Sequence, residues 1–150
     1  MRIGFYGNAS EIATWEASLA ARLPAFEINE LLSEAGAASD VALVWAPPPH
    51  AFADCANLRG IIMQGQGVDH MMRDSTVPRD IPLVRLIDPD MANALSHWAI
   101  LNALDFWRDG DSYRAQQATR QWHSLPQRPA TGARVGILGV GAIGTVIARR

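Results

Sequence analysis

Cysteine is nearly absent from this sequence: Cys55 is the only one among 150 residues, so no internal disulfide can form. A stretch of about 18 consecutive apolar residues is also absent, so the sequence predicts no transmembrane helix. The N-terminus has neither the apolar core nor the cleavage pattern of a secretory signal. Together these absences predict a cytoplasmic protein in which Cys55 is a buried free thiol.

The charge is small and nearly balanced, with 13 basic and 15 acidic side chains and a formal net charge of −2. Nothing in this balance favours binding to nucleic acid or to an anionic membrane surface. Hydrophobic residues make up 49% of the chain and charged residues 19%, which is typical of a folded globular protein and not of a disordered one. The length suits one ordinary domain and does not by itself require two.

Short apolar segments alternate with helical signals through the first half of the chain. Ser10 begins a helical pattern in which apolar residues recur every three to four positions until Pro24 ends it. The uninterrupted DVALVW run is typical of a strand covered on both faces, and three prolines end it. This alternation predicts an α/β fold, with a parallel sheet and helices on its faces. The predicted strands are residues 2–6, 25–29, 40–45, 59–63 and 81–86.

A long helix is predicted over residues 91–107, where apolar side chains cover much of the circumference. Such a helix is usually buried, or packed between domains or subunits. Gly110 is predicted to end it, and the polar segment 111–120 to continue as a second helical stretch. Prolines and a glycine then mark residues 122–132 as an exposed connection, after which a new domain opens near Ala133.

The sequence GVGAIG at residues 139–144 fits the pattern G-x-G-x-x-G. An apolar strand is predicted immediately before it at residues 135–138, and a helix immediately after it at residues 145–149. This strand–turn–helix context is typical of the start of a dinucleotide-binding domain. A glycine-rich turn that binds no ligand is the alternative interpretation.

Each glycine of this motif has its own expected role in holding a dinucleotide. Gly139 permits the tight turn, Gly141 lets a pyrophosphate approach the backbone, and Gly144 lets the helix pack closely. The amides of Ala142 and Ile143 are predicted at the helix N-terminus, where unpaired N–H groups favour an anion. Only six residues follow Gly144, whereas a β–α–β unit takes about 30 and the ribose-binding acid lies about 20 beyond the motif. The chain is therefore expected to be a fragment.

Four segments, in this order, resemble a known family over essentially the whole chain. They are ALVWAPPP at residues 42–49, GQGVD at 65–69, the helix at 91–107 with the following DSYR, and QWHSLP ahead of GILGVGAIG. The chain resembles the N-terminal half of a D-2-hydroxyacid dehydrogenase, closest to the glyoxylate/hydroxypyruvate reductase A branch of that family. The resemblance implies a flavodoxin-like substrate domain followed by the first strand, turn and helix of a Rossmann NAD(P)-binding domain.

The resemblance also implies a reaction: oxidoreductases of this family reduce a 2-oxo acid such as glyoxylate or hydroxypyruvate with hydride from NADPH or NADH. The GQGVD segment resembles the loop whose backbone amides hold the substrate carboxylate, which makes Gln66 and Gly67 the substrate-binding candidates. By the same resemblance Leu95 faces the nicotinamide end of the cleft, although core packing explains a leucine there equally well. For Gln66 and Gly67 the alternative is a plain strand-to-helix turn.

None of the family's catalytic residues can be placed on this sequence. The arginine that clamps the 2-oxo acid, the proton-donating histidine and the carboxylate that orients it lie C-terminal to the glycine motif in family members, past Arg150. The four histidines present are interpreted as surface, turn or helix residues and show no spacing suited to a metal: His50, His70, His97 and His123. The 150-residue chain is therefore expected to be inactive alone.

The domain division that follows assigns residues 1–90 to the substrate domain and 133–150 to the start of the NAD(P)-binding domain. Residues 91–132 between them form a long interdomain or dimerisation helix and its connection, and the intact protein is expected to be a homodimer, as in the family. Two other interpretations stay open. One is a truncated, non-catalytic paralogue acting as a flavodoxin-like binding or interaction module, and the other is a self-contained flavodoxin-like domain with a vestigial tail.

Overall fold

The computed structural model describes all 150 residues, and these divide into two units, Met1–Ile87 and Asp88–Arg150. The structure thus has one internal boundary, and the three-part domain division drawn from the family resemblance stays a prediction. No helix in either unit combines the length and the apolar composition that crossing a membrane requires.

A sheet of five parallel strands forms the first unit, in the order β2-β1-β3-β4-β5. All five strands predicted from the apolar runs are present, which confirms the α/β fold with a parallel sheet. Most are shorter than their apolar runs, because a strand extends only as far as its neighbours pair with it. The bounds are β1 Arg2–Tyr6, β2 Glu27–Glu30, β3 Val41–Val44, β4 Gly60–Met63 and β5 Leu83–Arg85.

One face of this sheet is covered by a large apolar cluster. Ala42 and Val44 of β3 and Ile61 and Met63 of β4 point into it, since side chains two apart share a face, and each is at most 1% exposed. Cys55 lies in the same cluster as a free thiol, as predicted from the sequence, and burial raises the pKa of that thiol. The thiol is therefore held in its protonated form, which packs as an apolar group.

The opposite face carries a smaller cluster that is covered by α1 (Ile12–Ala20). Ile3, Phe5 and Leu43 form its buried part, and apolar side chains of α1 pack against them. A 3₁₀ turn precedes the helix, and Asn8 caps that turn through a hydrogen bond that its side chain accepts from the Ser10 amide at 3.1 Å. The predicted helix is confirmed. The capping residue is Asn8, two residues before Ser10, where the helical pattern was predicted to begin.

Two short helices of this unit were not predicted as such. α2 (Glu34–Ala37) is a single turn capped by Ser33, whose hydroxyl accepts from the Gly36 amide at 3.1 Å. α3 (Asp69–Arg73) begins directly after the GQGV segment. Helices of four or five residues are too short to show the apolar repeat on which helix prediction depends.

The second unit contains three helices: α4 (Pro89–Trp107), α5 (Gly110–Ala118) and α6 (Ala142–Ala148). The predicted long helix is confirmed and begins two residues early, because the Asp88 side chain caps it by accepting from the Asp90 amide at 2.9 Å. In this structure α4 is not a buried helix, since only Ala92 and Ser96 are buried on it. Its exposed apolar side chains are Leu95, Trp98, Leu101, Leu104 and Phe106.

The corner between α4 and α5 corrects the predicted role of Gly110. α4 ends at Trp107, Asp109 adopts the left-handed conformation (φ 56°), and Gly110 begins the next helix. A Cβ on Gly110 would overlap the Asp105 carboxylate, so that side chain would have to move. Arg114 donates hydrogen bonds to Asp105 (2.6 and 2.9 Å), and these bonds lower the pKa of the Asp105 carboxyl.

Residues 122–132 have no helix or strand and are mostly exposed, as predicted for a connection. The predicted strand at 135–138 is wrong: the backbone there pairs with no neighbour, and Val135 and Leu138 are exposed. A strand exists only where a second strand completes its hydrogen bonds, and the second unit contains none. The predicted helix after the glycines is confirmed as α6, which begins at Ala142.

Candidate functional site

The order 2-1-3-4-5 places the topological switch point, where the strand order reverses, between β1 and β3. In open α/β sheets of this kind, ligands bind outside the carboxyl ends of the strands at that switch point. Here backbone pairing continues one residue past β3 and β4: the Trp45 amide donates to the Tyr6 carbonyl (2.7 Å) and the Gln64 amide to the Val44 carbonyl (2.9 Å). These bonds bring Gly7, Trp45 and Gln64 to the same edge.

The segment Gly65–Gly67 forms a turn at this edge, immediately after β4. A Cβ on Gly65 would overlap the Trp45 indole, with two ring atoms 3.2 and 3.3 Å from it, so the indole would have to shift. The N–H groups of Gly65, Gln66 and Gly67 donate to no acceptor of the protein. Successive unengaged N–H groups in a turn form a binding surface for an anion.

Arg85, at the end of β5, fixes the orientation of this turn. Its Nη1 donates to the Gln66 carbonyl oxygen at 3.1 Å. The peptide that follows is trans, so the N–H of Gly67 points away from the carbonyl that Arg85 holds. The turn can therefore accept a carboxylate on the side opposite Arg85.

Gln64 and Gln66 each carry a side-chain amide that has no partner. The Nε2 atom of each is buried and makes no hydrogen bond. The Gln64 carboxamide reaches past the end of β3, so that its Nε2 lies 3.6 Å from the Cβ position of Gly7. Gln64, Trp45 and Arg85 were not among the candidate residues predicted from the sequence. A glutamine directly after the apolar run GIIM was the one available signal for Gln64.

The glycine turn of the second unit has the backbone features that its motif predicts. Gly139 has a positive φ of 92°, and the Cα of Gly144 lies against the Gly139 carbonyl, where no Cβ would fit. A Cβ on Gly141 would meet no atom within 4 Å, so this part of the turn is open. The N–H groups of Ala142 and Ile143 donate to no acceptor of the protein.

The structure brings the predicted site residues together in two separate groups. Gln66 and Gly67 lie on the first unit, and the residues of the glycine turn lie on the second. Leu95, the proposed nicotinamide neighbour, is on α4 and 38% exposed. No group of three or more histidine, cysteine or acidic side chains is placed to hold a metal ion.

Two curated proteins that this chain matches share one name. The glyoxylate/hydroxypyruvate reductase A of Yersinia enterocolitica is 32% identical over 155 aligned residues, which cover all of this chain and 50% of the relative. The corresponding protein of Serratia proteamaculans is 31% identical with the same coverage. The chain therefore spans about half the length of the curated relatives it matches. No family model matches the chain.

Solved structures give the same result. A D-isomer-specific 2-hydroxyacid dehydrogenase from Xanthobacter autotrophicus, in complex with NADPH and MES, superposes with a TM-score of 0.82 at 30% identity. An NADPH-dependent glyoxylate/hydroxypyruvate reductase from Sinorhizobium meliloti, in complex with NADP and sulfate, gives 0.79 at 30% identity. Both matches cover 99% of this chain, but only 49% and 47% of the respective structures.

Proposed function

We propose that this chain, which is homologous along its whole length to glyoxylate/hydroxypyruvate reductases and other D-isomer-specific 2-hydroxyacid dehydrogenases, is the substrate-binding half of such an oxidoreductase. The reaction is the reduction of a small 2-oxo acid to the 2-hydroxy acid with hydride from a nicotinamide cofactor. The names of the relatives support the reaction class. The site at the carboxyl edge of the sheet supports the substrate class.

The observation that carries this proposal is the Gly65–Gly67 turn. It offers free N–H groups and is held by the Arg85 hydrogen bond at the edge where α/β sheets bind ligands. A carboxylate is the group common to all 2-oxo acids, and such N–H groups bind it without a dedicated cation. Gln66 and Gly67 are thus the residues we assign to the substrate carboxylate.

The cofactor proposal depends on the turn at residues 139–144. Gly139, Gly141 and Gly144 fit a pyrophosphate, since the open space at Gly141 would be filled by any other residue's Cβ. The N–H groups of Ala142 and Ile143 would donate to it. When bound, the nicotinamide supplies the hydride; the task of these residues is to hold the other end of the molecule. NADPH is the cofactor we propose, because the similar structures contain NADPH or NADP.

The groups that transfer the proton are proposed to lie outside this chain, so the 150 residues alone are inactive. A homodimer is proposed for the intact protein, with the exposed apolar face of α4 as its candidate contact. The cytoplasmic location predicted from the sequence is retained as part of the proposal.

NADPH oxidation with glyoxylate and with hydroxypyruvate tests this function. It is measured for the protein encoded by the complete reading frame that contains this chain, and for the 150 residues expressed alone. We expect turnover by the first and none above background by the second. Turnover by the 150 residues would contradict the placement of the catalytic groups. Inactivity of both, with a folded product, would favour the non-catalytic binding module.

Replacing Arg85 with methionine in the active protein is expected to raise KM for 2-oxo acids about tenfold, the effect of one hydrogen bond. The kcat should change less, because Arg85 orients the Gln66 peptide and is not placed to react. The change is read from steady-state kinetics.

Arg59→Met is the matched control, since Arg59 is exposed and its side chain makes no hydrogen bond. An equal effect of both variants, or a fall in kcat alone, would contradict the positioning role of Arg85.

A further inference from the structure

Gln64 lies at the switch point of the sheet, although it follows β4. β3 stands between β4 and β1 in the sheet order, and the Gln64 carboxamide reaches past its end to the backbone of Gly7. Gly7 follows β1 directly, and any Cβ on it would be 2.9 Å from the Phe5 ring. The carboxamide therefore lies in the crevice between the ends of β1 and β3, where sheets of this order bind their ligands.

The Nε2 of Gln64 is a buried hydrogen-bond donor with no acceptor. A donor in this state loses its water without replacement, and folded proteins pair nearly all such groups. Leucine would fill the same volume without that loss, so stability gives no reason for a glutamine here. A ligand that brings an oxygen acceptor into the crevice would explain why this position holds a glutamine.

In the proposed function the substrate carboxylate and the reacting carbonyl already have partners of their own. The carboxylate is assigned to the N–H groups of Gln66 and Gly67, and the 2-oxo oxygen must remain available to the groups that protonate it. The next oxygen in a small 2-oxo acid is a substituent on C3. A neutral carboxamide suits a neutral hydroxyl there, whereas a second carboxylate would call for a cationic partner.

We propose that Gln64 is a specificity-determining residue that donates a hydrogen bond from Nε2 to a hydroxyl on C3 of the substrate, so that the site favours 3-hydroxy-2-oxo acids over unsubstituted ones. This inference rests on the proposed function and names the substrate class of that same site. Hydroxypyruvate carries the hydroxyl, and glyoxylate has no C3 at all. These two compounds are therefore the pair that tests it.

The experiment compares Gln64→Leu with the unchanged full-length enzyme. The variant is expected to lose about tenfold in kcat/KM for hydroxypyruvate, the effect of one hydrogen bond, and to change less than twofold for glyoxylate. Calorimetric binding of the 2-hydroxy acids glycerate and glycolate should show the same contrast without turnover. Gln117→Leu, the same change on an exposed position of α5, is the control and should alter neither.

The melting temperature separates this effect from unfolding. Gln64→Leu removes an unpaired buried donor, so the variant is expected to melt no lower than the unchanged enzyme. An equal loss for both substrates would place the Gln64 contact on their common part and overturn the proposal, as would no loss for either. If the unchanged enzyme reduces neither compound, the proposed function itself has failed.

Discussion

Replacing Gly36 with alanine is expected to destabilise the first unit by about 3 kcal/mol, the upper range for overpacking a well-packed site. The added Cβ would collide with the Glu30 carbonyl oxygen and would lie 2.7 Å from the Glu30 carbonyl carbon and from the Leu31 Cα. These are backbone atoms, which cannot rotate away, so α2 or the end of β2 must shift. Urea unfolding of the 150-residue chain, followed by circular dichroism, measures the loss.

Gly60→Ala provides the matched control on the same sheet. A Cβ at Gly60 would meet only Pro82, with its nearest atoms at 3.7 Å, which is ordinary contact. Its unfolding free energy should stay within about 0.5 kcal/mol of the unchanged chain. If the two variants lose equal stability, the close approach of Gly36 to the Glu30 carbonyl is not what requires a glycine there.

The need for Gly36 could not be seen in the sequence, whereas the sheet around it could. Apolar runs such as VALV are long enough to mark a strand, and their lack of polar alternation marks burial on both faces. α2 has one turn and no repeat, and its contact with Glu30 depends on how β2 ends. Local patterns therefore predicted the strands, while the close contacts between elements became visible only in the fold.

The predicted strand at residues 135–138 failed for a related reason. Its sequence VGIL is as apolar as that of the true strands, but strand formation also requires a neighbour to pair with. Strand propensity is a property of a single segment, whereas strand pairing depends on two segments. Gly110 was similarly misread as a helix end, because the left-handed residue that turns the chain is Asp109.

In the candidate site, too, residues in contiguous motifs were predicted and residues that act through non-local contacts were not. Gln66 and Gly67 were found through a contiguous motif, and so was the glycine turn at residues 139–144. Arg85 and Gln64 were not predicted because the roles proposed for them depend on non-local contacts: Arg85 is 19 residues from the carbonyl to which it donates. Gln64 lies beside Gly7 because the sheet places β4 two positions from β1 and the carboxamide reaches past the end of the intervening β3. Motifs predicted which backbone segments are the binding candidates, and the fold identified the side chains that lie beside them.

Replacing Gly141 with alanine is expected to weaken NADPH binding about 100-fold in the full-length protein while leaving its melting temperature unchanged. The protein itself tolerates the change, since the added Cβ meets no atom within 4 Å and the φ of −85° suits any residue. The same methyl group would occupy the space through which a pyrophosphate approaches the backbone. Losing one or two hydrogen bonds to a charged group accounts for the factor.

Gly144→Ala distinguishes a ligand effect from a structural one at the same turn. Its Cβ would collide with the Gly139 carbonyl, so this variant should lose both NADPH affinity and melting temperature. Calorimetry and thermal melts on the two variants therefore give different signatures if the turn binds a dinucleotide. Equal NADPH affinity of Gly141→Ala and the unchanged protein would mean that the open space at Gly141 holds no pyrophosphate. A fall in its melting temperature would mean that Gly141 is required by the fold, as Gly144 is.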